Sequence, residues 1–203
     1  MVKEDIFSYI LFPIVLLGAA YIYLDINDDF DLKCIVSSVD GNKYCVRERS
    51  KINDAADLLA NVTQKCQDLV KYIEEKYPNK ENVKRLCSGF EKTVIKETLP
   101  TSTFTAYSEN KGEKIAFCLN KKKEDNNTLI DENTLTFVAI HEMAHIMTKS
   151  IGHKQEFWDN FKFLLEVAKE AGIHEPIDYS KQSKDYCGMK ITDNPYYDHS
   201  WLL

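Results

Sequence analysis

Two histidines, His141 and His145, lie four positions apart in a segment that is apolar on almost every side. Four residues advance an α-helix by about 400°, so both imidazoles lie on nearly one face, one turn apart. The residues around them predict a buried helix: Phe137, Val138, Ile140, Met143, Ala144 and Ile146. Burying two imidazoles and the adjacent Glu142 carboxylate is costly without a compensating role. The pattern therefore predicts a metal site on a core helix.

The five residues from His141 to His145 have the HExxH arrangement of a zinc site. In that arrangement the two histidines bind zinc, and the glutamate acts as general base on the zinc-bound water. The alternative is that both histidines are ordinary polar positions on a helix. We favour metal binding, with Glu142 as the catalytic base and Zn²⁺ as the cofactor.

A catalytic zinc needs a third protein ligand and an open fourth position. His153 follows His145 by eight residues, about 12 Å along a continuous helix, and Gly152 offers the break that turns the chain back. This favours His153 as the third ligand. The rival ligands are Glu156, Glu166, Glu170 and His174. We expect His174 and His199 to be surface side chains.

An apolar N-terminal stretch, residues 6–24, contains no charged side chain. As a helix it would span roughly 28 Å, close to the hydrocarbon thickness of a bilayer. We expect residues 1–26 to form a single-pass membrane anchor before a domain over residues 27–203. The alternatives are a signal peptide cleaved near Gly18-Ala19-Ala20, and an apolar helix packed onto the domain.

Six cysteines are dispersed along the chain without a CxxC pair. An even, dispersed set is typical of disulfides in an exported domain, so we expect the domain on the exoplasmic or lumenal side. Pairing neighbours in sequence gives Cys34–Cys45, Cys66–Cys87 and Cys118–Cys187. Free buried cysteines are the alternative.

The remaining pattern predicts one α+β domain with a small antiparallel or mixed sheet. A hairpin is expected around Asp40-Gly41, and two amphipathic helices follow before the period changes to two. Strands are expected over residues 92–99, 103–109 and 114–120. Helices are expected over about 53–77, 80–90, 131–149 and 155–171, and the tail is expected to be coil with at most one strand.

The charge balance bears on the partners of the chain. The formal net charge is −6 and the isoelectric point is near 5.4, whereas phosphate backbones are bound by clustered Lys and Arg. The one basic run, residues 121–123, is followed at once by two acidic residues. We therefore expect no nucleic acid partner.

The HEMAH sequence at residues 141–145, followed by GHKQEFW at residues 152–158, resembles the SprT-like and WLM group of zincin metallopeptidases. The resemblance covers about residues 114–172. It implies a minimal zincin fold in which His141, His145 and His153 bind zinc and Glu142 is the base. More loosely, the chain is similar to membrane-anchored metallopeptidases of large DNA viruses. The better-known members carry DNA-binding or partner motifs after the protease, whereas this chain is expected to have an anchor, an acidic balance and about thirty residues after its last helix.

These observations predict a zinc metallopeptidase that acts on a protein or peptide substrate at a membrane. The substrate would pair with the strand over residues 114–120 as an edge strand. Oxyanion donors are sought among the tail tyrosines Tyr179, Tyr186, Tyr196 and Tyr197. The alternatives are an inert membrane or envelope protein with a structural zinc, and a nucleic-acid-associated protease on the cytosolic side.

Overall fold

The computed structural model describes residues 11–20, 32–123 and 128–198. In these residues five α-helices form: α1 over residues 11–20, α2 Ile52–Lys76, α3 Glu81–Phe90, α4 Glu132–Met147 and α5 Gln155–Glu170. The strands are β1 Leu32–Val36, β2 Lys43–Arg47, β3 Val94–Glu97, β4 Ala106–Glu109, β5 Lys114–Phe117, β6 Lys184–Tyr186 and β7 Met189–Ile191. A 3₁₀ turn covers Pro195–Tyr197. The α+β class is confirmed.

The central element is α4, which packs against α2, α3 and α5. Its sequence is apolar almost all round, so it is buried on most sides, as a helix without a polar face must be. The helix begins at the expected cap, because the Asp131 carboxylate accepts a hydrogen bond from the Thr134 N–H at 2.9 Å. This burial places the stretch from His141 to His145 on a rigid support.

A three-stranded mixed sheet lies beside α4. Strand β5 pairs with β3 in parallel and with β4 antiparallel, so the order is β3-β5-β4. The prediction that residues 114–120 form an edge strand is therefore wrong, because β5 is paired on both sides. The apolar burial of β5 agrees with this central place. The edge strand that packs against α4 is β4.

A buried ion pair joins the first hairpin to this sheet. Arg49 donates to the Glu97 carboxylate on β3, and the Arg47 N–H donates to the same carboxylate at 2.7 Å. The second oxygen partner of Arg49 is the Asn120 side chain at 2.7 Å, just beyond β5. These contacts hold β2, β3 and the end of β5 together with no exposed charge.

The membrane prediction is wrong. None of the helices in the described residues is both long and apolar enough to cross a bilayer. Residues 6–10 and 21–24 of the expected anchor, and its boundary at residue 26, lie outside the described residues. The single-pass assignment, with its exoplasmic domain, is therefore not supported.

Two of the three expected disulfides are present. Cys34 and Cys45 are register partners across the first hairpin and are bonded, and Cys118 is bonded to Cys187. The Cys66–Cys87 pairing is wrong, since both thiols are free. Cys66 points into the core from α2, where burial raises the pKa of its thiol to about 12, and Cys87 lies half-buried on α3. Pairing cysteines by their nearness in sequence takes no account of the helix face on which each thiol lies.

The tail contains a short hairpin where at most one strand was expected. Strands β6 and β7 pair antiparallel across Cys187 and Gly188, both of which have positive φ. Such a pair of positive φ values is the geometry of a tight two-residue hairpin turn. The Cys118–Cys187 disulfide and the hydrogen bond from the Cys187 N–H to the Asn120 carbonyl attach this hairpin beyond β5.

The contact between α3 and the β4–β5 turn leaves no room for a side chain at Gly89. A Cβ there would lie 2.5 Å from Ile146 Cγ2 and 2.7 Å from the Lys111 carbonyl oxygen.

Gly to Ala in a helix interior usually stabilises by about 1 kcal/mol, but overpacking of this kind costs about 1–3 kcal/mol. We expect Gly89→Ala to lower the free energy of unfolding, measured in urea. Ser88→Ala, an exposed neighbour on α3, is the control and should change it by less than about 0.5 kcal/mol. A Gly89→Ala variant as stable as the parent would contradict this packing.

Candidate metal centre

Three imidazoles converge at the carboxyl-terminal end of α4. The Nε2 atom of His153 lies 3.1 Å from Nε2 of His141 and 3.1 Å from Nε2 of His145. Among the described residues these three side chains form a group whose ligand atoms could hold one metal ion. The structure therefore brings together the three histidines that the sequence selected.

The spacing of the nitrogens fits a zinc ion. Tetrahedral zinc with Zn–N bonds of 2.0–2.1 Å separates its nitrogen ligands by about 3.3 Å. Three Nε2 atoms this close either present their lone pairs to a shared cation or hydrogen-bond to one another, with donor and acceptor set by the tautomers. Burial lowers the pKa of His141 to about 3 and that of His145 to about 4, and the neighbouring imidazoles add to both shifts. Both rings are thus neutral and ready to be ligands at pH 7.

The third histidine of the cluster reaches it through a sharp turn. Helix α4 ends at Met147, and α5 begins at Gln155, so His153 lies on the connector between them. Gly152 has φ +79°, a conformation that costs a side-chain-bearing residue free energy. This turn reverses the chain, and it brings His153 onto the face of α4 that carries His141 and His145. The role expected of Gly152 matches this geometry.

An aromatic wall from α5 packs against the imidazoles. The Phe157 ring centroid lies 4.4–4.9 Å from the centroids of all three histidine rings. Phe161 lies 5.1 Å from His141, and Trp158 lies 5.6 Å from His153. Packed rings have few alternative rotamers, so these contacts restrict the directions in which the imidazoles point. The sequence signal for this wall is the placing of Phe157, Trp158 and Phe161 within about one turn of each other near the start of α5.

Glu142 lies beside the histidines on α4 and is 4% exposed. Burial raises the pKa of its carboxyl to about 8. A carboxyl in so apolar a place exchanges a proton near neutral pH, the range in which general bases operate best. A nearby divalent cation would favour its carboxylate form.

The rival ligands lie elsewhere or have other partners. Glu156 accepts hydrogen bonds from the N–H groups of Lys149 and Ser150, at 2.9 and 3.1 Å. Glu170 pairs with Lys76, and Glu166 is exposed on α5.

The expectation for the later histidines is wrong in one case. His174 is not a surface residue, since it is 3% exposed and its ring packs 6.2 Å from that of Phe137. Burial lowers the pKa of His174 to about 4. His199 lies outside the described residues.

Strand β4 is an edge strand of the described sheet and packs against α4, the helix that bears His141 and His145. Beyond the last residue of β4, the Lys111 ammonium donates to the His145 carbonyl at 3.2 Å. Just before the first residue of β4, the Cys118 N–H donates to the Thr105 carbonyl at 2.8 Å, so Thr105 and Cys118 form a hydrogen-bonded pair. Hydrogen-bonded and non-hydrogen-bonded pairs alternate along the antiparallel β4–β5 ladder. Ala106 and Ser108 therefore direct their backbone N–H and C=O groups away from β5. In the described part of the chain no strand pairs with them on that side.

Tyr186 is the tail tyrosine that lies near Glu142. Burial raises the pKa of Tyr186, and the Glu142 carboxylate is the second cause. Its hydroxyl donates to the Thr105 carbonyl at 3.0 Å, so it attaches the start of β4 to the tail hairpin.

The other tail tyrosines are placed differently. Tyr179 is buried beside Phe137, and the Tyr197 hydroxyl donates to the Pro176 carbonyl. Tyr196 packs against Tyr197. The oxyanion role of a tail tyrosine stays a prediction.

Taken together, the described residues define an α+β protein with a three-histidine cluster suited to a metal ion. No protein-family model matches the chain. It is 25% identical over 194 residues to "Uncharacterized protein R325" of Acanthamoeba polyphaga mimivirus, which covers 92% of this chain and 98% of that protein. It is 36% identical over 73 residues to "Uncharacterized protein 136R" of Invertebrate iridescent virus 6, which covers 36% of this chain and 40% of that protein. These relatives are viral, as the looser resemblance predicted.

Solved structures of Wss1 from Saccharomyces cerevisiae are also similar to this chain. One crystal structure aligns with a TM-score of 0.45 and 18% identity, over 61% of this chain and 86% of that one. The crystal structure of a Wss1 mutant aligns with a TM-score of 0.47 and 16% identity, over 64% and 91% of the two chains.

Proposed function

We propose that this chain is a zinc-dependent metallopeptidase with a zincin-type site. The observation that carries the proposal is the convergence of three imidazole Nε2 atoms beside the buried Glu142, next to the open edge of β4. A structural zinc site is closed by four protein ligands, whereas a catalytic site has three and an open position. The cluster has three ligand side chains among the described residues, and His153 is exposed. This favours catalysis over a structural metal.

The proposed roles follow from the ligand set and the burial. A zinc ion bound here would supply Lewis-acid polarisation of a carbonyl and acidify a water molecule. Glu142 takes the proton of the attacking water on its carboxylate and returns it to the leaving amine. Its apolar surroundings keep the basicity of that carboxylate high enough for the first transfer. Phe157 holds the imidazoles in place and excludes water from one side of the site.

The proposed substrate is an extended peptide. Because Ala106 and Ser108 turn their backbone groups to the open edge of β4, a peptide can add there as a further strand. Main-chain pairing of this kind fixes the direction of the substrate while leaving its side chains free to vary. The strand that the sequence selected, β5, cannot serve, because both of its edges are occupied.

The test is digestion of a broad peptide library by the full chain. We expect cleavage that a zinc chelator abolishes and that one equivalent of Zn²⁺ restores. The cleavage sites, read by mass spectrometry, should share a pattern on both sides of the cut. A chain that holds zinc and cleaves nothing in the library would favour the inert, structural-zinc alternative.

A further inference from the structure

The connector between α4 and α5, residues 148–154, is held by side chains from the β4–β5 turn and from α5. It carries His153, and it has to reverse direction within seven residues to bring that side chain onto α4. A connector like this can adopt several backbone conformations unless its N–H and C=O groups are hydrogen-bonded. The position of the His153 side chain therefore depends on the groups that bond to the connector.

Lys111, in the turn between β4 and β5, makes two of these contacts and a third to the end of α4. Its ammonium group donates to the carbonyl oxygens of His145 at 3.2 Å, Thr148 at 2.7 Å and Ser150 at 3.0 Å. An ammonium has three N–H donors, so this set uses all of them. The acceptors run from the second metal ligand to the residue three positions before His153. One cation thus joins the end of α4 to the connector.

The backbone conformation of Lys111 is fixed by the turn and costs free energy for a residue with a side chain. It has φ +59° in the turn between β4 and β5, a left-handed conformation that disfavours residues other than Gly, Asn and Asp. The next residue, Gly112, has φ +111°, and a Cβ there would lie 2.6 Å from the Gly89 carbonyl oxygen. The turn is therefore pressed onto α3, and it presents the Lys111 stem to the end of α4. A positive charge at that end also complements the helix dipole.

The opposite side of the connector is tied by Glu156, and Arg85 on α3 lies beside Glu156 and the end of α4. The Glu156 carboxylate accepts from the Lys149 and Ser150 N–H groups, and Arg85 donates to the Met147 carbonyl at 3.1 Å. Arg85 also lies 3.4 Å from Glu156. Lys111 thus binds the connector's carbonyls while Glu156 binds its N–H groups, so the two contacts cannot replace each other.

We propose that Lys111 is a positioning residue for the third metal ligand. By holding the carbonyls of His145, Thr148 and Ser150 on one ammonium group, it fixes the turn that delivers His153 to His141 and His145. Its ammonium group acts on the backbone of the turn and is not itself a ligand. The inference rests on the proposed metal centre, but its test measures metal affinity and needs no peptidase activity.

The test is a double-mutant cycle of Lys111→Met and His153→Ala in the full chain, with zinc affinity measured by chelator competition. Met keeps the aliphatic stem and removes the three donors. In the chain with His153, we expect Lys111→Met to weaken zinc binding about 10-fold, at the lower end of what outer-shell partners contribute. In the His153→Ala background we expect Lys111→Met to cause no further loss, because the ligand it positions is gone. Lys92→Met, an exposed lysine outside the connector, is the control and should leave both affinities unchanged.

A merely structural role gives a different result. Equal weakening of zinc binding in both backgrounds, or none in either, would overturn the proposal. As a second readout, the Co²⁺ absorption spectrum of Lys111→Met should shift toward that of His153→Ala. If Lys111→Met does not fold, Lys111→Arg replaces it in the same cycle, since it keeps the charge but cannot place three donors at one point. The loss of zinc affinity caused by Lys111→Arg must likewise disappear in the His153→Ala background. A native chain that binds no zinc refutes the metal centre and this inference together, whereas a zinc-binding chain without hydrolysis refutes only the peptidase.

Discussion

Glu142→Gln is expected to keep its zinc and lose peptide hydrolysis by about two orders of magnitude or more. Gln is nearly isosteric with Glu, and Glu142 is beside the ligands without being one of them, so zinc content and the thermal midpoint should change little. A neutral amide cannot accept the proton of the attacking water, which removes the general base. The measurement compares kcat/KM on a library-derived peptide with zinc content by elemental analysis.

The matched control for this prediction is Glu132→Gln at the first turn of the same helix. Glu132 is partly exposed and pairs with Lys65, so its loss should cost little stability and leave hydrolysis unchanged. Equal activity of the parent and Glu142→Gln would exclude Glu142 as the base. Loss of zinc from Glu142→Gln would assign it a role in binding the metal instead.

Removing a histidine is expected to have the largest effect on the metal itself. His141→Ala and His145→Ala should each weaken zinc binding by more than about 100-fold, since even outer-shell partners of a ligand contribute 10–100-fold. His153→Ala should weaken it by a comparable factor. The thermal midpoint of each variant should stop rising with added zinc, because a ligand bound only by the folded state stabilises it through its affinity. Chelator competition and thermal unfolding with and without zinc measure both effects.

His174→Ala separates these effects from general damage to the core. It removes a buried side chain beside Phe137 and should lower stability, yet it should leave zinc affinity unchanged. Glu166→Ala should change neither quantity, as the side chain is exposed on α5. Undiminished zinc in His153→Ala would refute the third ligand and return the question to the acidic side chains of α5.

The helix bearing the cluster was predictable because its signals are local. The apolar surroundings of His141 predicted burial, Asp131 marked the helix start, and Gly152 marked the reversal that brings in His153. Each of these depends on residues within one or two turns of the chain. Local patterns also located the first hairpin, with its Cys34–Cys45 disulfide.

Most of the predictions that the structure corrects concern contacts between segments that are distant in sequence. The alternation in residues 114–120 predicts a strand, but it does not say that β3 returns parallel to one side and β4 antiparallel to the other. The face of α2 that carries Cys66 is set by packing, which sequence neighbourhood does not report. Lys111 was invisible for the same reason, because its partners follow it by more than thirty residues. The apolar N-terminal stretch predicted a membrane span from composition alone, and no described helix fulfils it.

Zinc K-edge X-ray absorption on the full chain tests most directly whether His141, His145 and His153 hold the metal. We expect about one zinc per chain with three imidazole nitrogens at 2.0–2.1 Å and one further light atom in the open position. In His153→Ala the imidazole scattering should fall from three rings to two. A sulfur shell near 2.3 Å would place the metal on the free thiols of Cys66 and Cys87 and contradict the account, as would a chain that binds no zinc.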